Sequence, residues 1–335
     1  MGDAECQRKD TLPVFYAWPR ELAQTLLIRI LSAHLPHSNP VYNRILAPHN
    51  TPAQHCLYGA TFPQGTEHVP AVFTVLFSDR SRHQEAQIWL FNPLSAKPRL
   101  QPAETDLLNS NVASAVNFLR ATKIPDAPGW PFLPVLKFAC LPTVVADALV
   151  KLTPNDAIQM DTNWTHYLIP LERRETVPEL PAGFSSASPV PHDQLDIVIA
   201  TSTIPRQKET LKGLPSVGLL DHEGKLVAWA FVSVDASLAT LFVIPEHRKK
   251  GFARIVAGLL LEKLHKGEFK FTISGRESRQ GSDEAPRPFG ISSQWIHTEV
   301  KEGNVGSERV VESLGGRKSG FSRYTFVDGD QMPTF

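Results

Sequence analysis

Cysteine is scarce: three residues, Cys6, Cys56 and Cys140, are spread over 335 positions. Their spacing offers neither the paired ligands of a zinc site nor a disulfide framework, so they read as structural and no metal is expected. The twelve histidines are scattered without an i, i+4 pair on a helix, which also gives no metal motif. Long apolar runs are absent as well. Those present, such as Ile255 to Leu261, fall far short of the ~20 residues a spanning helix needs. Neither sign of charge dominates: 34 Lys and Arg balance 34 Asp and Glu, so no global field attracts nucleic acid or an anionic membrane. A local anion site stays open. The first residues carry no basic segment followed by an apolar core, and Cys6 stands where a myristoylation signal needs Ser or Thr, so a cytoplasmic location is expected. Gly-x-Ser-x-Gly and the Walker pattern are missing, which argues against an α/β-hydrolase and a P-loop nucleotidase.

What is present is an ordinary globular composition, with 42% apolar and 20% charged residues, long enough for about two domains. The 28 prolines cluster over 125–142 and 170–191, where lost ladder donors disfavour regular elements. The second cluster, with Gly183 and a serine-rich run, marks the boundary, dividing the chain into 1–180 and 190–330. In the first part, residues 20–35 and 106–119 have helical spacing, and 69–77 and 87–91 read as strands. This half is mixed α+β and carries no chemical motif, so it reads as a scaffold or acceptor-side wall.

The second part is patterned more clearly. Residues 217–220 and 225–234 form two strands around the hairpin loop Asp221-His222-Glu223-Gly224, and both faces of the second are apolar, as in a central covered strand. Strand 238–244 stops at Pro245. Phe252, Ile255, Val256, Leu259, Leu260 and Leu264 then follow a helical template that ends before Gly267. Residues 269–273 and 295–300 are further strand candidates, and 275–290 reads as a mobile surface insertion between them. Helix 305–314 and strand 322–327 close the pattern.

The informative stretch is Pro245-Glu246-His247-Arg248-Lys249-Lys250-Gly251-Phe252-Ala253, a turn between a strand and a helix. Such a turn aims unpaired backbone N–H groups and the positive end of the helix dipole in one direction, which suits a diphosphate. Gly251 permits close backbone approach, and Ala253 leaves the first turn uncrowded. Arg248, Lys249, Lys250 and Arg254 place cations where the dipole alone would disfavour them, which calls for an anion.

Arg248-x-x-Gly251-x-Ala253, followed by Asn304-x-x-Ser307 and Val310-Val311-Glu312-Ser313-Leu314-Gly315-Gly316, resembles the acyl-CoA signatures of the Gcn5-related N-acetyltransferase (GNAT) superfamily. Pro215 to Leu220 and Val227-Ala228-Trp229 are similar to its glycine N-acyltransferase-like and FR47-like members. The resemblance implies an α+β GNAT fold, with a mixed twisted sheet whose central strands splay, in a tandem of a degenerate N-terminal half and a C-terminal catalytic half. It implies acetyl-CoA or another acyl-CoA as cosubstrate and a small-molecule amine as acceptor, in a monomer or homodimer. Leu241, Phe242 and Val243 would then offer strand backbone to the pantetheine arm, and Arg248, Lys249, Lys250, Gly251, Phe252 and Ala253 would hold the diphosphate. Asn304 and Ser307 would meet the arm near the thiol, although Asn304 equally suits a helix N-cap.

The family's base glutamate falls at Ser237, so Asp235 two residues earlier and Glu299 on the next strand stand as the carboxylates for that role. Asp235 is otherwise a turn residue and Glu299 a surface acid. Val311 replaces the family's acidic tyrosine, for which Tyr324 is an alternative. The missing tyrosine and displaced base keep a non-catalytic acyl-CoA sensor or adaptor open, and a protein-lysine acetyltransferase is a further alternative.

Overall fold

The computed structural model describes residues 12–47, 55–80, 85–122, 135–172, 179–202, 204–269 and 294–335. The first half opens with β1 (Tyr16–Ala17) and a helix running from α1 (Arg20–Leu22) through a π segment (Ala23–Leu27) into α2 (Ile28–Ser32), then α3 (Asn39–Leu46). β2 (Cys56–Ala60), β3 (Val75–Asp79), β4 (Ile88–Phe91), α4 (Pro102–Ala121), β5 (Val135–Pro142), α5 (Thr143–Leu152) and β6 (Ile158–Pro170) complete it. The second half contains β7 (Ser185–Ala187), α6 (Leu195–Thr201), α7 (Lys208–Lys212), β8 (Ser216–Leu220), β9 (Leu226–Val232) and β10 (Leu238–Val243). α8 (Phe252–His265), β11 (Trp295–Lys301), α9 (Val305–Ser313) and β12 (Arg317–Asp328) follow.

The second half forms as its pattern requires. Asp221 Oδ1 accepts the N–H groups of Glu223 and Lys225, both at 2.9 Å, and Gly224 takes φ +76°, which closes the β8–β9 turn. All seven residues of β9 are buried between β8 and β10. α8 turns Phe252, Val256, Leu260 and Leu264 inward and leaves Arg254 in solvent.

Three expectations need correction. Strands occupy both proline-rich stretches, because β5 starts only after Pro134 and β7 fits between Pro181 and Pro189. The strand expected over 69–77 begins at Val75, and the last strand begins five residues earlier than expected, at Arg317, because it has partners on both sides. Residues 270–273 of a proposed strand and the 275–290 insertion lie outside the described residues.

Two sheets result, ordered β1-β2-β3-β4-β5-β12-β6-β11 and β10-β9-β8-β7. The halves interlock through their last strands. β12, from the end of the chain, lies between β5 and β6, and β6 in turn pairs with β11 of the second half. One core, including Trp18, Phe77 and Trp89 from the first half and Leu195, Trp229 and Phe231 from the second, is common to both. Separate cores under α4 and α5 and under α8 and α9 flank it.

Residues 182–335 produced alone lose β6, the shared partner of β11 and β12. That fragment is expected to aggregate with an exposed edge, and co-expression with 1–181 should recover a soluble complex. Recovery of the lone fragment as a cooperatively melting monomer would contradict this interlock.

Candidate functional site

α8 begins with Gly251 at φ +81° and ψ 0°, and among the described residues no side chain caps it. Among the described residues a Cβ on Gly251 would meet nothing within 4 Å, so the chain stands clear on that side of the helix start. Lys249 also has positive φ, +62°, and the exposed turn thus bends twice on its way into the helix. The N–H groups of the first helical turn have no intrahelical acceptor, and the dipole adds positive potential there. Phe252 is buried against Phe184, with ring centroids 4.8 Å apart, and the turn is thereby fixed to the core.

The matching position of the first half is closed. After β4 the chain enters α4, where Glu104 accepts the Gln101 N–H at 3.0 Å and pairs with Lys97, and Pro102 removes a donor. These contacts, Lys97 foremost, hold the Glu104 carboxyl below its ordinary range. A fixed carboxylate thus sits at the helix start that faces solvent in α8.

β10 and β11 touch at their beginnings and then part. Ser237 and His297 form a single parallel bridge, and Thr298 Oγ1 donates to Leu238 O at 2.8 Å. Beyond that point, among the described residues, β10 pairs only with β9, across a bulge where Thr240 has φ +51°. Ile244 N–H donates to Val227 O at 3.0 Å, and by antiparallel alternation the Val243 N–H and C=O face the opposite side, the open edge. Arg248 Nε donates to Val243 O at 3.1 Å, with its guanidinium over the Phe242 ring. The side chain of Phe242 stacks on Trp229 at 5.1 Å and its backbone pairs with Trp229 of β9, so, against the sequence expectation, Phe242 turns its N–H and C=O away from the open edge.

Where the strands part, five elements and the turn before β10 deliver a buried polar cluster. Asp235, 4% exposed, accepts the Ser237 N–H at 3.1 Å, the Ser237 hydroxyl at 2.7 Å and Trp89 Nε1–H at 3.2 Å. His297 is fully buried and places Nε2 3.7 Å from both Asp235 Oδ2 and Glu299 Oε1. Asn39 Nδ2 lies 3.3 Å from His297 Nδ1. Cys140 donates its thiol to Glu299 Oε1 at 2.7 Å, and His166 Nε2 lies 3.9 Å from the same oxygen.

Burial opposes every charge here, yet contacts decide the outcome. For Asp235 the burial penalty is outweighed by His297 and Ser237, and its carboxyl is held far below the ordinary value. Burial lowers His297, but Glu299 and Asp235 together raise it above its ordinary value. Glu299 is raised, by burial first and by repulsion from Asp235, with His297 pulling the other way. His166 falls to about 3 through burial and the neighbouring His297, so it is a neutral imidazole. Burial and the adjacent Glu299 push the Cys140 thiol well up, and it keeps its proton. The ligand atoms of Cys140, His297 and Glu299 lie within 4.8 Å of one another, a grouping able to close on a cation although the sequence showed no metal motif. With the thiol protonated, Cys140 is hydrogen-bonded to Glu299, and His297 Nε2 stands off at 3.7 Å from the carboxylates.

The stabilising ionisation of Asp235 is present above the ordinary carboxyl value and lost as pH falls through its depressed one. That of His297 is full below the ordinary imidazole value and lost as pH rises through its raised one. Asp235→Asn, which leaves His297 short of a carboxylate, should cost about 3 kcal/mol of stability near neutral pH. Urea melts would read the loss, and the gap should narrow as acid protonates Asp235.

Asp235, Ser237 and Glu299 are therefore brought together, and Glu299, taken from the sequence as a surface acid, has a side chain only 7% exposed. Leu241 and Val243 pack toward the core beneath α8 while their strand edge stays open. Arg248, Lys249, Lys250, Gly251 and Ala253 surround the α8 start, but Asn304 caps α9 through the Ser307 N–H at 3.2 Å, on the rim. Val311 is buried. Burial first, then Glu299 and Cys140, raise the Tyr324 phenol well above its ordinary value, which places that side chain beside the cluster. Sequence reading missed Trp89, Cys140, His166 and His297. The first half, read as free of chemistry, supplies three of these. The one available signal was His297 and Glu299 on the same face of a strand whose other face, Ile296 and Val300, is apolar.

A pocket of ≈ 190 Å³ reaches this cluster from the first half's side, with Cys140 and His166 in its wall. No described helix is long and apolar enough to cross a membrane.

Residues 15–177 match the family described as the acyl-CoA N-acyltransferase verG N-terminal domain. No curated protein matches the chain. Among solved structures, a Drosophila protein superposes with TM-score 0.63 at 14% identity, covering 94% of this chain and 98% of its own. A tandem GNAT protein from the clavulanic acid biosynthesis pathway superposes with TM-score 0.50, also at 14% identity and with the same coverages. At such identity the likeness concerns the fold, which is the tandem GNAT fold.

Proposed function

We propose that this chain is a Gcn5-related N-acetyltransferase that transfers the acyl group of acyl-CoA, acetyl-CoA first, to the amine of a small molecule by direct attack. One observation carries the reading: the uncapped, open start of α8 adjoins a free β10 edge that leads to Glu299. Acyl-CoA brings the activated thioester. The backbone of residues 248–253 holds its diphosphate, and Arg248 exchanges Val243 O for a phosphate oxygen, a stronger charge-assisted bond. The freed Val243 edge receives the pantetheine arm as an added strand, and an N–H of the same edge steadies the carbonyl oxygen as it gains charge.

As the amine nitrogen bonds the acyl carbon, Glu299 takes the amine proton, and the C–S bond breaks to release CoA as its thiolate. The raised value of Glu299 brings it nearer to the amine's than an exposed carboxylate would be, which eases that transfer. His297, tied to Asp235 and Asn39, keeps Glu299 in place as a positioning residue.

The test is release of free CoA thiol from acetyl-CoA across a panel of amines, beside calorimetric titration with CoA. Amine-dependent release is expected. Tight binding without release would identify a sensor instead, and absence of CoA binding would defeat the assignment.

A further inference from the structure

The pocket between the halves has a lining that specifies its occupant. Its wall includes His37, Cys140, His166, Leu168, Ser319 and Phe321, and none of its described lining residues is Asp, Glu, Lys or Arg. An amine that also carries a carboxylate or phosphate would leave water without gaining a cation. A second ammonium would find no carboxylate. Burying either charge unpaired is costly. His166 does not supply the missing cation, since burial keeps it neutral.

Size sets a second limit. An apolar cavity of about 150 Å³ admits benzene, so ≈ 190 Å³ suits one ring with a short aminoalkyl arm. The rim gives a third indication: Phe321 is 52% exposed, a large apolar ring left uncovered at the pocket. Lys318 Nζ lies 4.3 Å from the centre of that ring and is outside the described lining of the pocket. At the inner end, Cys140 and His166 adjoin Glu299 Oε1.

We infer that the acceptor is a small arylalkyl monoamine whose amine is its only ionisable group, seated between the halves with its ring toward Phe321 and its nitrogen toward Glu299. This rests on the N-acyltransferase reading above. The walls come from both halves, β5 and β6 of the first and β12 of the second, so the interlocked strands build the acceptor site.

The decisive comparison is 2-phenylethylamine against phenylalanine, which share ring and arm and differ by the carboxylate. With the full chain and saturating acetyl-CoA, thiol release should give 2-phenylethylamine a kcat/KM about 100-fold higher. Glycine, spermidine and a lysine-containing basic peptide should fall with phenylalanine. Phe321→Ala, at an exposed position, should raise KM for 2-phenylethylamine about tenfold with kcat and acetyl-CoA affinity unchanged, the sign of lost uniform binding. Ser319→Arg, which offers a cation at the wall, should narrow the preference over phenylalanine. Equal or better use of phenylalanine, glycine, spermidine or the peptide overturns the inference and leaves the acyltransferase reading intact. Release with no amine, despite CoA binding, overturns that reading and this inference with it.

Discussion

Gly251→Glu is expected to lower CoA affinity at least about 100-fold while the protein still folds. Two effects combine, and a control separates them. Any side chain at φ +81° carries a strain of about 1–2 kcal/mol, which destabilises the fold. Because a Cβ there meets open space, Gly251→Ala should show that strain alone, as a lower melting temperature with CoA affinity changed only severalfold. Glutamate adds a carboxylate in front of the α8 start, where it bonds the same N–H groups and repels the diphosphate. The first half also carries a carboxylate at a helix start, there from the third helical position, where Glu104 accepts the Gln101 N–H before α4. Calorimetric titration with CoA checks the result, and a glutamate variant that binds like wild type would remove diphosphate binding from this helix.

Glu299→Gln should reduce kcat by about 10²–10⁴-fold, the range of a lost general base, with acetyl-CoA affinity unchanged. Glutamine keeps an oxygen to accept from Cys140, so the packing is retained. The pH profile distinguishes this from structural damage. Glu299 is raised above the ordinary carboxyl value, and it acts as a base only when ionised. Wild-type activity should therefore fall as pH drops through that raised value, and the residual activity of the variant should lack this acid limb. A loss of less than tenfold would pass the role to Asp235. That alternative is less suited, since Asp235 is held far below its ordinary value and is occupied by Ser237 and Trp89.

Legibility in the sequence follows the distance over which contacts are made. The α8 start is a contiguous turn, and its glycine, basic residues and following helix could be read without knowing the fold. β8, β9 and β10 were legible for the same reason, as neighbours in sequence pair in the sheet. The Cys140–Glu299 bond joins residues 159 apart and the Trp89–Asp235 bond residues 146 apart, and no local pattern announces either. β6 was missed because its first half, Gln159 to Asn163, has Met160 as its one apolar residue, so the alternation of Ile158, Met160 and Trp164 is faint. It is a strand because β12 pairs along nearly its whole length, a case of tertiary pairing overriding local preference.

The interlock also fixes an order of events during biosynthesis. Ser319 on β12 and His166 on β6 meet although 153 residues separate them. At about 5–20 residues per second, a ribosome takes roughly 8–30 s to deliver the later strand after the earlier one. Throughout that interval the nascent first half waits with a missing central strand between β5 and β6, a template for pairing with other chains. The pocket between the halves comes into being only once β12 has been made and threads between β5 and β6.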